Sequence, residues 1–463
     1  MNNTEPDDEV APPQPMVRWR RHGGNLSIKD ATVWFGISYA IAIIGYLMVN
    51  ALAARLLGQT FGYFVIAITI STMLGQLGLA GVHRGGLREA ARLRGGDLEG
   101  LRDLRRSVRA VSLVLLPAVG AATAATTFMV LNLDDSRARW SIAVGVGLLV
   151  WLSGQQKLWA NYLRGFGQVR LAGLLEGRSG GAIASICQAI LIGVVYMFFP
   201  GWGLSGAIGA LAIGYAAPVT LAWSRASHVW GHVDVAGRVF RDLRAAVGQY
   251  WRFSSNLLAG YLNSTVEIWI AGLLLTGLDL SLFSAAQRLS VLLSVPLISL
   301  GVVFSPVVSR LFEHDDSRLE ALLRTGATLA AAGTALAWIP MLLAPETVLM
   351  AVYGRDFIGA APILLILTIG NIANVVTGMS GTALTMSRHE GLVAKAQWIA
   401  VVVRIGAGMT AASLFGPVAL ATSAATATTL LYAFLWRATR RRMGLSTHIT
   451  LRPDLRLMRE TSG

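Results

Sequence analysis

The chain has 463 residues, of which 54% are hydrophobic and only 14% charged, and its mean hydropathy is +0.57. A soluble domain carries roughly 25% charged residues, so the composition excludes an ordinary soluble enzyme. The net charge of +14 does not point to nucleic acid, because the arginines fall in short connectors between charge-poor stretches of about 20 residues, each long enough to cross a hydrocarbon core. A single cysteine, Cys187, excludes an intramolecular disulfide and a Cys-based metal site. No phosphate-loop or nucleophile-elbow pattern stands in a usable context, and the sequence implies no cofactor.

Residues 1–24 are acidic, then Pro-rich, then Arg-rich; they are expected to form a disordered cytoplasmic tail. The apolar run that follows is too long for a cleaved signal peptide and continues into further spans. An N-terminal six-helix bundle is expected over residues 25–225, with spans at 31–54, 61–82, 107–131, 140–163, 171–198 and 204–224. A cytoplasmic linker, 226–252, leads to a C-terminal six-helix bundle over 253–436. Its spans are expected at 253–276, 281–309, 324–344, 360–386, 392–414 and 416–436, followed by a basic cytoplasmic tail, 437–463. The fold class is therefore all-α: a polytopic membrane protein of twelve transmembrane helices in two parallel bundles.

Orientation follows from the basic residues. Of 39 Lys and Arg, 31 lie in the two tails and the even-numbered connectors, and four (Arg55, Arg137, Arg139, Arg355) lie in the odd-numbered ones. By the positive-inside rule both termini are expected in the cytoplasm. A shift of 219 residues puts Trp34 on Phe253 and Phe64 on Phe283, and the spans then match in order. Parallel six-helix halves are a transporter architecture, with a substrate site between them.

Ionisable residues at span depth cost at least ~2.5–3.5 kcal/mol on insertion scales and need a partner, water or a function. Lys157 shares a helical face with Ser153, Asn161 and Arg164. Two readings fit that stripe: a cavity lining, or helix packing and snorkelling. Arg404 lies mid-span, as a cavity cation or in a structural ion pair. Glu267 and Arg288 sit at similar depth either side of the turn near Gly277–Leu280, which predicts an ion pair between them. The alternative is a carboxylate that takes up a proton and couples it to movement. Asn256, Gly260 and Asn263 share the face of Glu267. Asn371 and Asn374 either line a cavity or hydrogen-bond between helices. Glu176 and Arg178 are expected to snorkel, and Arg55 is either an interfacial anchor or a cargo contact.

Several motifs carry a resemblance. Ala54-Arg55-Leu56-Leu57-Gly58 followed by Phe61-Gly62-Tyr63-Phe64, and Leu77-Gly78-Leu79 through Arg88-Glu89-Ala90-Ala91, open the first half. Arg164-Gly165-Phe166-Gly167, Phe283-Ser284-Ala285-Ala286-Gln287-Arg288-Leu289, and Tyr353-Gly354 with Phe357 and Ala360-Ala361-Pro362 follow. In this order the chain resembles the Wzx-type polysaccharide-unit flippases over residues 28–436. Their superfamily also holds multidrug/toxin extruders and lipid II flippases. The resemblance implies a multi-pass protein of the bacterial cytoplasmic membrane that moves a polyprenyl-diphosphate-linked oligosaccharide by alternating access. Lys157, Arg404 and Arg288 would be its cavity cations, Asn161, Asn263, Asn371 and Asn374 its polar lining, Glu267 the coupling residue and Arg55 the outer-turn residue. The expected partners are the lipid-linked glycan, the bilayer and cell-envelope glycan enzymes, not nucleic acid. A multidrug extruder or lipid II flippase is the alternative within the superfamily. Outside it stands a membrane-embedded glycan polymerase or glycosyltransferase, for which the outer connectors are short.

Overall fold

The computed structural model describes residues 28–86, 98–175, 180–230, 239–312 and 316–454. The expected tail 1–24, Glu176, Arg178, the motif end Arg88–Ala91 and the end of the basic tail lie outside the described residues, as does the side chain of Asn256.

Every described element is helical, as a bilayer demands of a chain whose backbone groups must be satisfied within each span. The first group comprises α1 (Ile28–Leu57), α2 (Phe61–Gly78), α3 (Leu98–Ala110), α4 (Leu116–Val130), α5 (Ser136–Gly165), α6 (Val169–Leu175), α7 (Gly181–Phe198) and α8 (Gly203–Trp230). The second comprises α9 (Val239–Leu274), α10 (Gly277–Ser290), α11 (Val295–Leu311), α12 (Asp316–Leu343), α13 (Pro345–Tyr353), α14 (Ala361–Thr377), α15 (Ser380–Met386) and α16 (Glu390–Met443).

Among the described residues, eight helical segments are long and apolar enough to cross a membrane. Two of these hold two passes each. Gly36–Gly78 covers α1 and α2, and Glu390–Met443 is broken at Gly416, where φ is 76°, and Pro417. The two expected passes that miss this measure are α5 and α9, whose polar side chains lower the hydropathy; the apolar part of α9 is Leu258–Leu274. All twelve expected spans therefore fall on helices.

Local boundaries differ from expectation where glycines or amphipathic segments intervene. The third pass is preceded by α3, whose Leu101, Leu104 and Val108 are buried while Arg102 and Arg109 face out. A π-turn, Val111–Leu115, joins it to α4. Within the expected linker 226–252, residues 239–252 form the start of α9. The fifth span is shorter than expected, because the backbone turns left-handed at Gly180 and Gly181 before α7. The tenth stops at Thr377 and resumes as α15. The basic tail begins as a strap on the second bundle: Thr447 Oγ1 donates to Thr377 O (2.8 Å) and the Ile449 amide to Val376 O (3.2 Å). Both bonds cap carbonyls that the end of α14 would leave unpaired.

α5 packs on α2, α4 and α8, and α1 on α7, in the first bundle; α16 packs on α9 and α14, and α12 on α11, in the second. The bundles meet along a seam where α2 lies against α9 and α10. Gly58 and Gly277, which the 219-residue shift superposes, both have positive φ (51° and 54°) and both turn the chain between successive passes. This end is called the turn end; the start of α1 and the end of α16 mark the termini end. The largest apolar cluster, which includes Phe61, Phe64, Phe283, Tyr353 and Phe357, spans both bundles.

Candidate functional site

At the turn end the seam is shut. Ser281 Oγ donates to Gln59 O (2.6 Å) and accepts from the Gly62 amide (2.9 Å). Gly62 permits that approach, since a Cβ there would stand 2.4 Å from Leu280 Cγ. Phe61 packs on Phe357 edge-on (5.7 Å between centroids) and on Tyr353 (5.9 Å). Arg55, exposed at the rim, donates to Ala351 O across the seam (2.6 Å). The expected outer-turn residue thus holds a backbone carbonyl of the opposite bundle.

Deeper in the seam lies Arg288, on the same face of α10 as Ser281 because seven residues make almost two helical turns. Its Nη1 donates to the Tyr46 hydroxyl (3.2 Å), its guanidinium carbon stands 5.7 Å from the Tyr46 ring centroid, and Nη2 reaches Val65 O (3.4 Å). Tyr261 and Tyr353 are its further neighbours. No carboxylate contacts it among the described residues. On the termini side, Met73, Gln76, Leu77, Ser254, Leu258 and Tyr261 line a shallow, narrow cleft between α2 and α9.

Glu267 does not pair with Arg288. It is 3% exposed and carries a salt bridge to Arg404 Nη1, itself 5% exposed, whose Nη2 donates to Thr428 Oγ1 (2.6 Å). Similar depth on adjacent helices was a sound inference, but the two side chains point to different sides. Glu267 faces α16 inside the second bundle, whereas Arg288 faces α1 and α2. Asn263, one turn before Glu267, agrees: its Nδ2 donates to Gln397 O (2.8 Å) on α16. The polar stripe on α9 therefore faces a packed helix, and of the two readings of Arg404, cavity cation or structural ion pair, this structure holds it in a buried ion pair.

The remaining candidates are dispersed. Asn371 Oδ1 accepts from Ser294 Oγ (2.9 Å), and Asn374 Nδ2 donates to the same hydroxyl (3.4 Å). Both asparagines bind a 3-10 turn inside the second bundle. Lys157, half-buried on α5, lies towards the termini end of the first bundle, and Asn161 Nδ2 donates to its carbonyl (2.8 Å). Next to Lys157 is His83, just past the second pass, 1% exposed with neither ring nitrogen hydrogen-bonded. Burial, helped by the charges of Lys157 and Arg84, holds its imidazole well below the usual histidine range. Of the three proposed cations, Arg288 hydrogen-bonds across the seam and Arg404 pairs inside the second bundle. The sequence reading missed Tyr46, Ser281, Thr428 and His83. Nothing local marked the first three, while a histidine at the end of a span was a visible signal.

Two six-pass bundles meeting at a seam closed at one end make this a multi-pass membrane protein. Neither a family model nor a curated protein matches its sequence. Solved structures nonetheless share the fold. The lipid II flippase MurJ in an inward closed conformation aligns over 88% of this chain and 87% of its own, at 13% identity with a TM-score of 0.65. A multidrug resistance MATE family transporter of the MOP superfamily in an inward-facing conformation aligns over 92% and 96%, at 15% identity with a TM-score of 0.63. An outward-facing conformation of such a transporter aligns over 93% and 98%, at 17% identity with a TM-score of 0.52. The chain thus has the fold of MATE transporters and MurJ.

Proposed function

We propose that this protein flips a polyprenyl-diphosphate-linked oligosaccharide across the bacterial cytoplasmic membrane, for cell-surface polysaccharide synthesis. It works by alternating access of the two bundles, with both termini in the cytoplasm, as a transporter and not an enzyme. The observation that carries the reading is Arg288, a half-buried cation in the seam on which no described carboxylate lies. A diphosphate is a dense anion, and a guanidinium in a shielded passage is suited to hold it. The lipid tail stays in the bilayer while the glycan passes between the two bundles as they open. The Wzx-like motifs support this class of cargo, and the 31-to-4 bias of basic residues supports the orientation. The turn end is then periplasmic, and the closed seal there corresponds to an inward-facing state.

The rival is a multidrug extruder, since MATE transporters share the fold. A cationic drug calls for a carboxylate in the passage. Glu267 is buried in the second bundle and already held by Arg404, which favours the anionic cargo. The deciding experiment reconstitutes the protein in vesicles and follows two probes, a fluorescent polyprenyl-diphosphate oligosaccharide and a cationic dye. Flipping of the lipid that Arg288→Gln abolishes is the expected result. Dye extrusion without lipid flipping would sink the proposal.

A further inference from the structure

The hydrogen bonds and the ring contact of Arg288 all run one way. The residue belongs to the second bundle, and the Tyr46 hydroxyl, the Tyr46 ring and the Val65 carbonyl all belong to the first. Seven residues earlier, on the same face of α10, Ser281 makes the seal with Gln59 and Gly62. One rigid helix therefore joins seal and cation across about 10 Å. We propose that Arg288 is both the cargo cation and the latch of the closed turn end: an anionic diphosphate takes its guanidinium from Tyr46 and Val65 and thereby loosens the seal. This rests on the anionic-cargo reading above and adds a rule for when the turn end opens.

Two features support an exchange rather than a static brace. The acceptors of Arg288 are a neutral hydroxyl and a neutral carbonyl at 3.2 and 3.4 Å. Charge-assisted bonds to phosphate are shorter and roughly twice as strong, so an arriving diphosphate wins the guanidinium. The seam also holds polar atoms that the closed state leaves orphaned. Asn50 Oδ1, Ser284 Oγ, Tyr353 OH and Arg288 Nε are buried without a hydrogen-bond partner. Asn50 and Ser284 stand one turn nearer the turn end than Tyr46 and Arg288 respectively, and Tyr353 packs on Phe61 in the seal. Native proteins satisfy nearly all such groups. These four groups can bond to an incoming polar ligand when the seam opens.

The test measures the width of the turn end directly. With Cys187→Ser as background, spin labels on Gln59→Cys and Met350→Cys report the distance between the bundles in lipid nanodiscs. Both positions are exposed and lie on opposite sides of the seal. Farnesyl diphosphate, inorganic diphosphate and farnesol serve as probes. The parent should show the short distance alone and shift towards a longer one with farnesyl diphosphate, but not with farnesol. A response to inorganic diphosphate as well would place recognition in the anion rather than the lipid. Tyr46→Phe keeps the ring and loses the hydroxyl. It should raise the open fraction without ligand by roughly two- to tenfold, the equilibrium effect of one hydrogen bond. Arg288→Gln should raise it further and abolish the response to diphosphate. Parent-like distributions in both unliganded variants would overturn the latch while leaving the cargo reading intact. Open variants together with a parent blind to both diphosphates would overturn the exchange and the anionic-cargo reading with it.

Discussion

Arg404 and Arg288 both lie at span depth, and their surroundings differ in charge. Arg404 sits inside the second bundle with a carboxylate, Glu267, and a hydroxyl, Thr428, against it. Arg288 sits between the bundles with a phenol and a backbone carbonyl. A buried charge that has its counter-charge is locked, because breaking the pair leaves the other charge stranded in low dielectric. A buried charge held by neutral dipoles is available to an incoming anion. The same side chain is therefore a staple in one place and, in the cargo proposal, a recognition element in the other, and the neighbours decide which.

Breaking the staple is expected to have the largest effect. Glu267→Gln leaves Arg404 without its counter-charge, at a cost of about 3–5 kcal/mol. The variant should lose much of its membrane level and thermal stability. Adding Arg404→Met should restore most of both, as replacing a buried pair by apolar groups is often neutral. If Glu267→Gln alone is as stable as the parent, the distinction drawn between the two arginines fails.

Arg288→Gln should do the opposite, with stability near the parent and function lost. Removing one charge-assisted contact of about 1.5–3 kcal/mol lowers affinity roughly 10- to 100-fold at subsaturating cargo. Arg288→Lys should retain part of the activity, since it keeps the charge and loses the fork. Surface glycan in a strain lacking the gene, with protein level measured in each variant, is the readout. A thermal melt of Arg288→Gln that drops as far as that of Glu267→Gln would make Arg288 a second staple.

Gly62→Ala sharpens the comparison from the side of the seal. The new methyl group meets Leu280, and overpacking of this kind costs typically 1–3 kcal/mol. Because the clash exists only while the turn end is shut, the variant should favour the open state, seen as a longer distance between labels at Gln59→Cys and Met350→Cys.

The smallest effect is expected at His83. Its imidazole is held below 6.5 in the folded chain by burial beside Lys157 and Arg84. Between the folded and unfolded values the unfolded chain binds more protons, so stability is full above 6.5 and falls as pH drops below it. His83→Gln should narrow the difference in melting temperature between about pH 7.5 and about pH 5.5. An unchanged difference would remove His83 from the acid response.

Much of the fold was legible in the residues because its cues are local. Hydropathy over a span-length window placed all twelve passes on helices, and Gly58 and Gly277 marked turns that the structure closes with positive φ. The breaks inside the fifth and tenth spans were harder to read. Gly378 interrupts a helix whose apolar composition continues on both sides, and Gly180 follows a charged stretch, Glu176 to Arg178, that the expected span included. The amphipathic α3 was hidden by its charge, since an Arg-rich connector and a helix that buries Leu101, Leu104 and Val108 have the same composition.

The site was legible only as a set of residues. The sequence by itself determined that Arg288, Arg404 and Glu267 lie at span depth, because position along a helix follows from counting at ~1.5 Å per residue. It also determined the basic connectors and the motif around Arg55. Only the tertiary structure decided that Glu267 belongs to Arg404, that Asn371 and Asn374 hold Ser294, and that Arg288 reaches across the seam. The physical reason is rotational. Each residue turns the side chain by about 100° around the helix axis, and which azimuth meets a neighbour is set by how the bundles pack. Tyr261 and Glu267 on α9 lie about 120° apart on that circle. One therefore faces the seam and the other the interior of its own bundle, a choice made by α2 and α16 and not by α9 itself.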